Sequence, residues 1–129
     1  MSYKNLEIWK LADELVMEIH KMTLEDLPKF EMYETGSQVR RSVKSVKSNI
    51  VEGFGRKRYQ QGYIHFLFMS FGSVMETNDH LETLYQTKSL KDEKKFLLLS
   101  EKLDKLGRKL NLFIQAIDQD LQLAKRKKP

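Results

Sequence analysis

The 129-residue chain contains no cysteine. That excludes a disulfide framework and a thiolate metal site, leaves packing as the source of stability, and suits a reducing cytoplasm. Proline occurs only at Pro28 and Pro129, and the six glycines fall mainly at predicted breaks. No apolar run approaches the ~18 residues of a membrane span. The longest, Ile64 to Met69, is interrupted by His65. The start, MSYKNLEIWK, lacks the basic and apolar regions of a signal peptide. Runs of β-branched residues are few, and no period-2 alternation is sustained, which argues against strands.

What remains is helical periodicity in one domain-sized chain. A first helix is predicted over about 5–22, with Asn5 as N-cap and Ile8, Ala12, Leu15, Ile19 and Met22 in one stripe. The segment 23–34 reads as a connection holding at most one helical turn. A second helix, about 35–52, has the narrow stripe Val39, Val43, Val46 and Ile50 and stops at Gly53 as a C′ residue. Its flanks differ. Arg40, Lys44 and Lys47 lie on one side, while Ser42, Ser45 and Asn49 on the other permit close approach of a neighbour.

The third helix, about 59–87, has a broad core face of Ile64, Leu67, Phe68, Phe71, Val74 and Met75. Tyr59, Phe66 and Met69 form a second apolar strip, and a helix apolar on two sides is normally buried on two sides. A second copy of the chain is the expected cover, with the 23–34 connection as the alternative, so these three residues are the candidate oligomer interface. A fourth helix, about 91–124, keeps one seam from Phe96 to Leu121. Short connections make neighbouring helices antiparallel. The expected fold is therefore an all-α, antiparallel four-helix bundle over 1–124, followed by a basic tail, 125–129.

Charge is uneven. The span Arg40 to Arg58 holds seven basic residues against Glu52 alone, and Lys125, Arg126, Lys127 and Lys128 add four more to a net charge of +5. The rest of the chain is net acidic. Arg40, Arg41, Lys44, Lys47, Arg56, Lys57 and Arg58 are the candidate nucleic-acid contacts, neutralising phosphates without reading bases. An ion pair from Arg40 or Arg41 to Glu76 competes with that use. The tail cations also suit the negative end of a helix dipole.

Chemistry is thinly represented. His20, His65 and His80 fall in three different helices without HExxH or paired Glu-x-x-His spacing, so no metal and no cofactor is expected. Gly53-x-Gly55 follows a helix and lacks the GK[ST] ending of a phosphate loop. Arg58 and His65, seven apart, would share a helix face, the spacing of HEPN-type ribonucleases, where the His helps deprotonate a ribose hydroxyl. The pattern is short, and a non-enzymatic role is the expectation.

Three stretches carry a family resemblance: Gln38-Val39-Arg40-Arg41-Ser42, Ser45-Val46-Lys47-Ser48-Asn49-Ile50-Val51-Glu52-Gly53-Phe54-Gly55-Arg56, and Leu6-Glu7-Ile8-Trp9-Lys10-Leu11-Ala12. With Phe66-Leu67, Gly72-Ser73 and Glu76 they resemble the bacterial 23S rRNA intervening-sequence proteins across nearly the whole chain. Lys47 stands where Pro is usual and Val51 where Ala is usual. The resemblance implies a four-helix bundle assembling into a homopentameric ring. Related accessory proteins of diversity-generating retroelements bind a reverse transcriptase and RNA through a basic surface. The expected function is thus a homo-oligomeric RNA-binding or scaffold protein, with itself, RNA or DNA, or another protein as partner and no membrane. The alternative is an adaptor docking a protein through the third helix's apolar strip.

Overall fold

The computed structural model describes residues 2–127. Lys128 and Pro129, the end of the predicted basic tail, lie outside the described residues. Four helices, α1 (Glu7–Glu25), α2 (Thr35–Phe54), α3 (Gln60–Gln86) and α4 (Glu93–Arg126), are joined by short segments, and no strand occurs among the described residues. Each helix packs on its neighbours in the chain, and α4 closes back on α1, so α1 and α3 sit diagonally across the bundle. Cross-helix pairs such as Asp13 with Lys47 and Glu7 with Lys109 set neighbours antiparallel. Ile8, Ala12, Leu15, Ile19, Val39, Val43, Val46 and Ile50 are buried together with Leu99, Leu103, Leu106 and Leu110 of α4. These are the stripes that the 3.6-residue period placed on one face of each helix.

Capping departs from expectation at two places. Asn5 is not the N-cap of α1. It ends a 3-10 turn, Tyr3–Asn5, and Leu6 occupies the cap position without a side-chain bond. Gly53 does not end α2. It is buried inside the helix, where an added Cβ would lie 3.1 Å from Tyr63 Cδ1 and 3.2 Å from Phe66 Cβ. The glycine is there because α3 passes close by, and the helix runs on to Phe54. In the connection before α2, a 3-10 turn, Lys29–Tyr33, folds against the start of α2.

The seam between α2 and α3 is hydroxyl-lined. Ser70 Oγ donates to the Val46 carbonyl (2.7 Å), and the Ser45 and Ser73 hydroxyls bond to each other (2.9 Å). The Thr77 hydroxyl has two acceptors within reach, Ser42 Oγ (2.8 Å) and the Ser73 carbonyl (2.7 Å). Asn49 Nδ2 donates to the Ser45 carbonyl (2.9 Å). Each buried hydroxyl of the seam is satisfied, so it avoids the ~1–3 kcal/mol penalty of an unpaired buried group. Its small side chains let the two backbones approach.

This seam corrects the predicted core face of the third helix. Leu67 and Val74 are buried as expected, but Phe68 and Met75 are 53% and 61% exposed. Burial instead centres on Tyr63, Ser70, Ser73, Thr77, Leu81 and Leu84. Hydropathy favours the large residues for the interior. Steric fit against α2 favours the small ones, and fit decides.

Two backbone positions yield stability predictions. A Cβ on Gly36 would fall well inside van der Waals contact with the Glu31 carbonyl oxygen, which is backbone and cannot swing away. Gly36→Ala is expected to lower the unfolding free energy by about 2 kcal/mol in urea titration. Lys88, just past α3, has φ 68° in the left-handed region. Lys88→Gly removes that strain and should raise stability by about 1 kcal/mol in the same assay.

Candidate nucleic-acid interface

The seven predicted phosphate contacts divide into two groups. Three of them are engaged within the chain. Arg40 Nη2 donates to the Met32 carbonyl (2.9 Å), pinning the 3-10 turn to α2, while its Nη1 is buried without a partner. The expected pair of Arg40 or Arg41 with Glu76 does not form. Arg40 lies on the flank of α2 that faces the connecting turn, and Glu76 instead lies 3.5 Å from His80. Lys47 Nζ bonds Asp13 of α1 (2.8 Å) and stands 5.4 Å from the centre of the Trp9 ring. Arg56 bonds the Glu52 carboxylate (2.7 Å) and covers the Phe66 ring at 4.4 Å.

The others are free to meet an anion. Arg41, Lys44 and Arg58 are exposed and have no ion-pair or hydrogen-bond partner among the described residues. Lys57 is exposed with its ammonium over the Phe54 ring at 4.3 Å. Arg41 and Lys44 lie along α2, where Lys44, Lys47, Ser48 and Val51 line a shallow groove against Val16 of α1. Lys57 and Arg58 lie in the turn between α2 and α3, at the end of the bundle.

At that same end the structure joins what the sequence keeps more than sixty residues apart. α4 is longer than α3, and its last turns run past the start of α3. There Leu121, Ala124 and Lys125 form a cleft with Tyr59, Gln60 and Gln61. Lys125, Arg126 and Lys127 are exposed and unpaired among the described residues. Lys125 therefore comes to the residues that directly follow the basic turn, at one pole of the bundle. A helix-dipole account of the tail does not require that neighbour, and nothing in the local sequence signals it.

The other candidates fall differently. Of the proposed oligomer contacts, Tyr59 and Met69 are 76% and 46% exposed, whereas Phe66 is partly buried beneath Arg56 and edge-on to His65. Arg58 sits in the turn, two residues before α3. Its position relative to His65 is therefore set by the turn and not by the helical period from which the ribonuclease pairing was expected. Among the described residues no three His, Asp or Glu side chains group as metal ligands, and no helix is long and apolar enough to cross a membrane.

Charge elsewhere serves the fold. Along the α1–α4 contact, Glu7 pairs with Lys109 (3.2 Å), Glu14 and Glu18 with Lys102, and Asp26 with Lys95 (3.6 Å). The hydrogen bond and charge of Lys102 hold the Glu14 carboxyl below its usual range. Hydrogen bonds donated to Glu14, then to Glu18, raise the Lys102 ammonium. Burial pushes the Tyr63 phenol up from 10.0 to about 12.

Comparison with known proteins agrees with this architecture. The sequence profile of the family described as 23S rRNA-intervening sequence protein matches residues 4–112. A crystal structure of a protein of unknown function from the S23 ribosomal protein family of Bacteroides thetaiotaomicron VPI-5482 is similar, with a TM-score of 0.71. It is 20% identical, covering 83% of this chain and 97% of its own. That likeness shows the fold. No curated protein matches the chain.

The shifts above fix how stability responds to pH. The folded state keeps the Tyr63 proton longer than the unfolded chain does. Its contribution is therefore complete below pH 10.0 and lost as pH rises toward about 12. Glu14 acts in the opposite direction, stabilising above the ordinary carboxylate range and losing that effect in acid. Urea midpoints measured against pH should show the alkaline fall reduced in Tyr63→Phe and the acid fall reduced in Lys102→Met.

Proposed function

Because this chain belongs to the 23S rRNA-intervening sequence protein family, we propose that it is a non-enzymatic RNA-binding protein whose contact surface is the cationic pole of the bundle. The observation that carries the reading is the approach of the basic end of α4 to the start of α3, directly after the basic α2–α3 turn. Tyr59, which follows Lys57 and Arg58 in the chain, lines one cleft with Lys125 of α4, and Arg126 and Lys127 come next in α4 and just after it. Cations without an ion-pair or hydrogen-bond partner attract a polyanion and release its counterions. Arg41 and Lys44 extend the field along α2. The contact is to phosphate, and these mobile side chains supply no fixed bidentate set for reading base pairs.

Self-association is part of the proposal. Phe68, Met69 and Met75 stand exposed on the outer side of α3. Clustered large apolar groups on a soluble surface favour a partner surface, and a second copy is the cover that the ring-forming resemblance suggests. The same residues would serve a protein adaptor, which is the second reading.

Binding of the nuclease-treated protein to a fluorescent RNA with both stems and loops, measured by anisotropy across a salt series, tests the proposal. Affinity should fall steeply with salt, with a log–log slope of several. Lys57→Glu with Arg58→Glu, or Lys125→Glu with Arg126→Glu, should weaken binding about tenfold or more and flatten the slope by about one for each phosphate no longer neutralised. Lys47→Met should lower stability and leave the slope unchanged, because its charge is held by Asp13. Absence of salt-sensitive binding, or indifference to the pole variants, would sink the reading and bring the adaptor forward. The RNA should remain intact throughout.

A further inference from the structure

The pole holds more than charge. Its aromatic side chains are nearly all engaged. Tyr3 packs edge-on against Trp9 (5.6 Å) and Phe54 (6.4 Å), and Tyr63 against Phe113 (5.7 Å). Lys57 covers Phe54 and Arg56 covers Phe66. Tyr59 is the exception. It is 76% exposed and has no aromatic or cationic partner among the described residues. Its backbone is fixed all the same, since its N–H donates to the Arg56 carbonyl (2.8 Å) and it caps α3.

We infer that Tyr59 is a stacking platform for an unpaired base of the bound RNA. The inference rests on the RNA-binding reading above and specifies its substrate as single-stranded. The cleft beside Tyr59 has the layout a nucleotide requires. Leu121 and Ala124 of α4 give it an apolar wall opposite the tyrosine. Gln60 and Gln61 contribute amides able to meet a base edge. Lys125 of α4 lines the same cleft and supplies a cation for a flanking phosphate, and the exposed Arg58 precedes Tyr59 in the chain. Stacking on an aromatic face accepts any base, since every base has a π-face, and it requires that the base be out of a duplex. The Lys125 charge at the cleft matches a phosphate next to that base. A docked protein segment would find the same apolar wall but would also need acidic groups to answer Arg58 and Lys125.

The test compares a fluorescent twelve-nucleotide single-stranded RNA with a blunt RNA duplex of the same sequence across one salt series, using wild type, Tyr59→Ala and Tyr59→Trp. Tyr59→Ala should weaken binding of the single strand about tenfold and leave the duplex unchanged, with the salt slope intact for both. Tyr59→Trp should retain or improve single-strand affinity. Tyr59 is exposed, so neither variant should disturb folding, and urea midpoints equal to wild type will show it. Equal loss on both probes, or no loss on either, overturns the inference while the RNA-binding reading stands. A change in sedimentation with Tyr59→Ala likewise overturns it, placing the residue in a subunit contact instead. Wild-type protein that binds neither probe overturns both.

Discussion

The close approach of α2 to α3 is the constraint on which the rest of the molecule depends. Backbones come together there because Ser42, Ser45, Ser70, Ser73 and Thr77 are small, and they stay together because each buried hydroxyl finds an acceptor. Gly53 extends the same closeness to the end of α2, where no Cβ would fit comfortably against Tyr63 and Phe66. A tight turn then follows, and it fixes Lys57, Arg58 and Tyr59 at the pole. α4 packs on the face of α3 that this pairing leaves available, so Lys125 arrives beside Tyr59. An apolar seam of Leu and Ile would hold two helices equally well, but farther apart, and the pole would open.

Much of this was legible from the sequence. Four long segments keep a 3.6-residue period, and a stripe sustained over several turns allows little other than a helix. The serine and asparagine flank of α2 foretold a close neighbour. The matching flank of α3 was hidden, because Phe68, Phe71 and Met75 outweigh Ser70, Ser73 and Thr77 in hydropathy. Only packing against α2 shows that the small residues face inward.

Charge was legible and its disposition was not. Local sequence places Lys47 beside Arg40 and Lys44 on one flank. It does not show that Asp13, thirty-four positions earlier, will neutralise Lys47. Arg40 is harder still, since its acceptor is the backbone carbonyl of Met32, to which every charge pattern is blind. The approach of the basic end of α4 to the start of α3 depends on the relative lengths of α3 and α4, a tertiary fact. Cations that looked equivalent therefore separate into those that tie elements together and those left facing solvent.

The ion pairs of α1 set that helix apart from the others. α2 and α3 are joined by hydroxyls, whose bonds are local and nearly indifferent to ionic strength. α1 is joined to its neighbours by a core stripe and by five part-exposed ion pairs, to Lys47, Lys95, Lys102 and Lys109. Such pairs are individually weak and are screened over a Debye length of about 8 Å at physiological ionic strength. Salt therefore acts on the edges of α1, while the hydroxyl seam between α2 and α3 offers it no charge to screen.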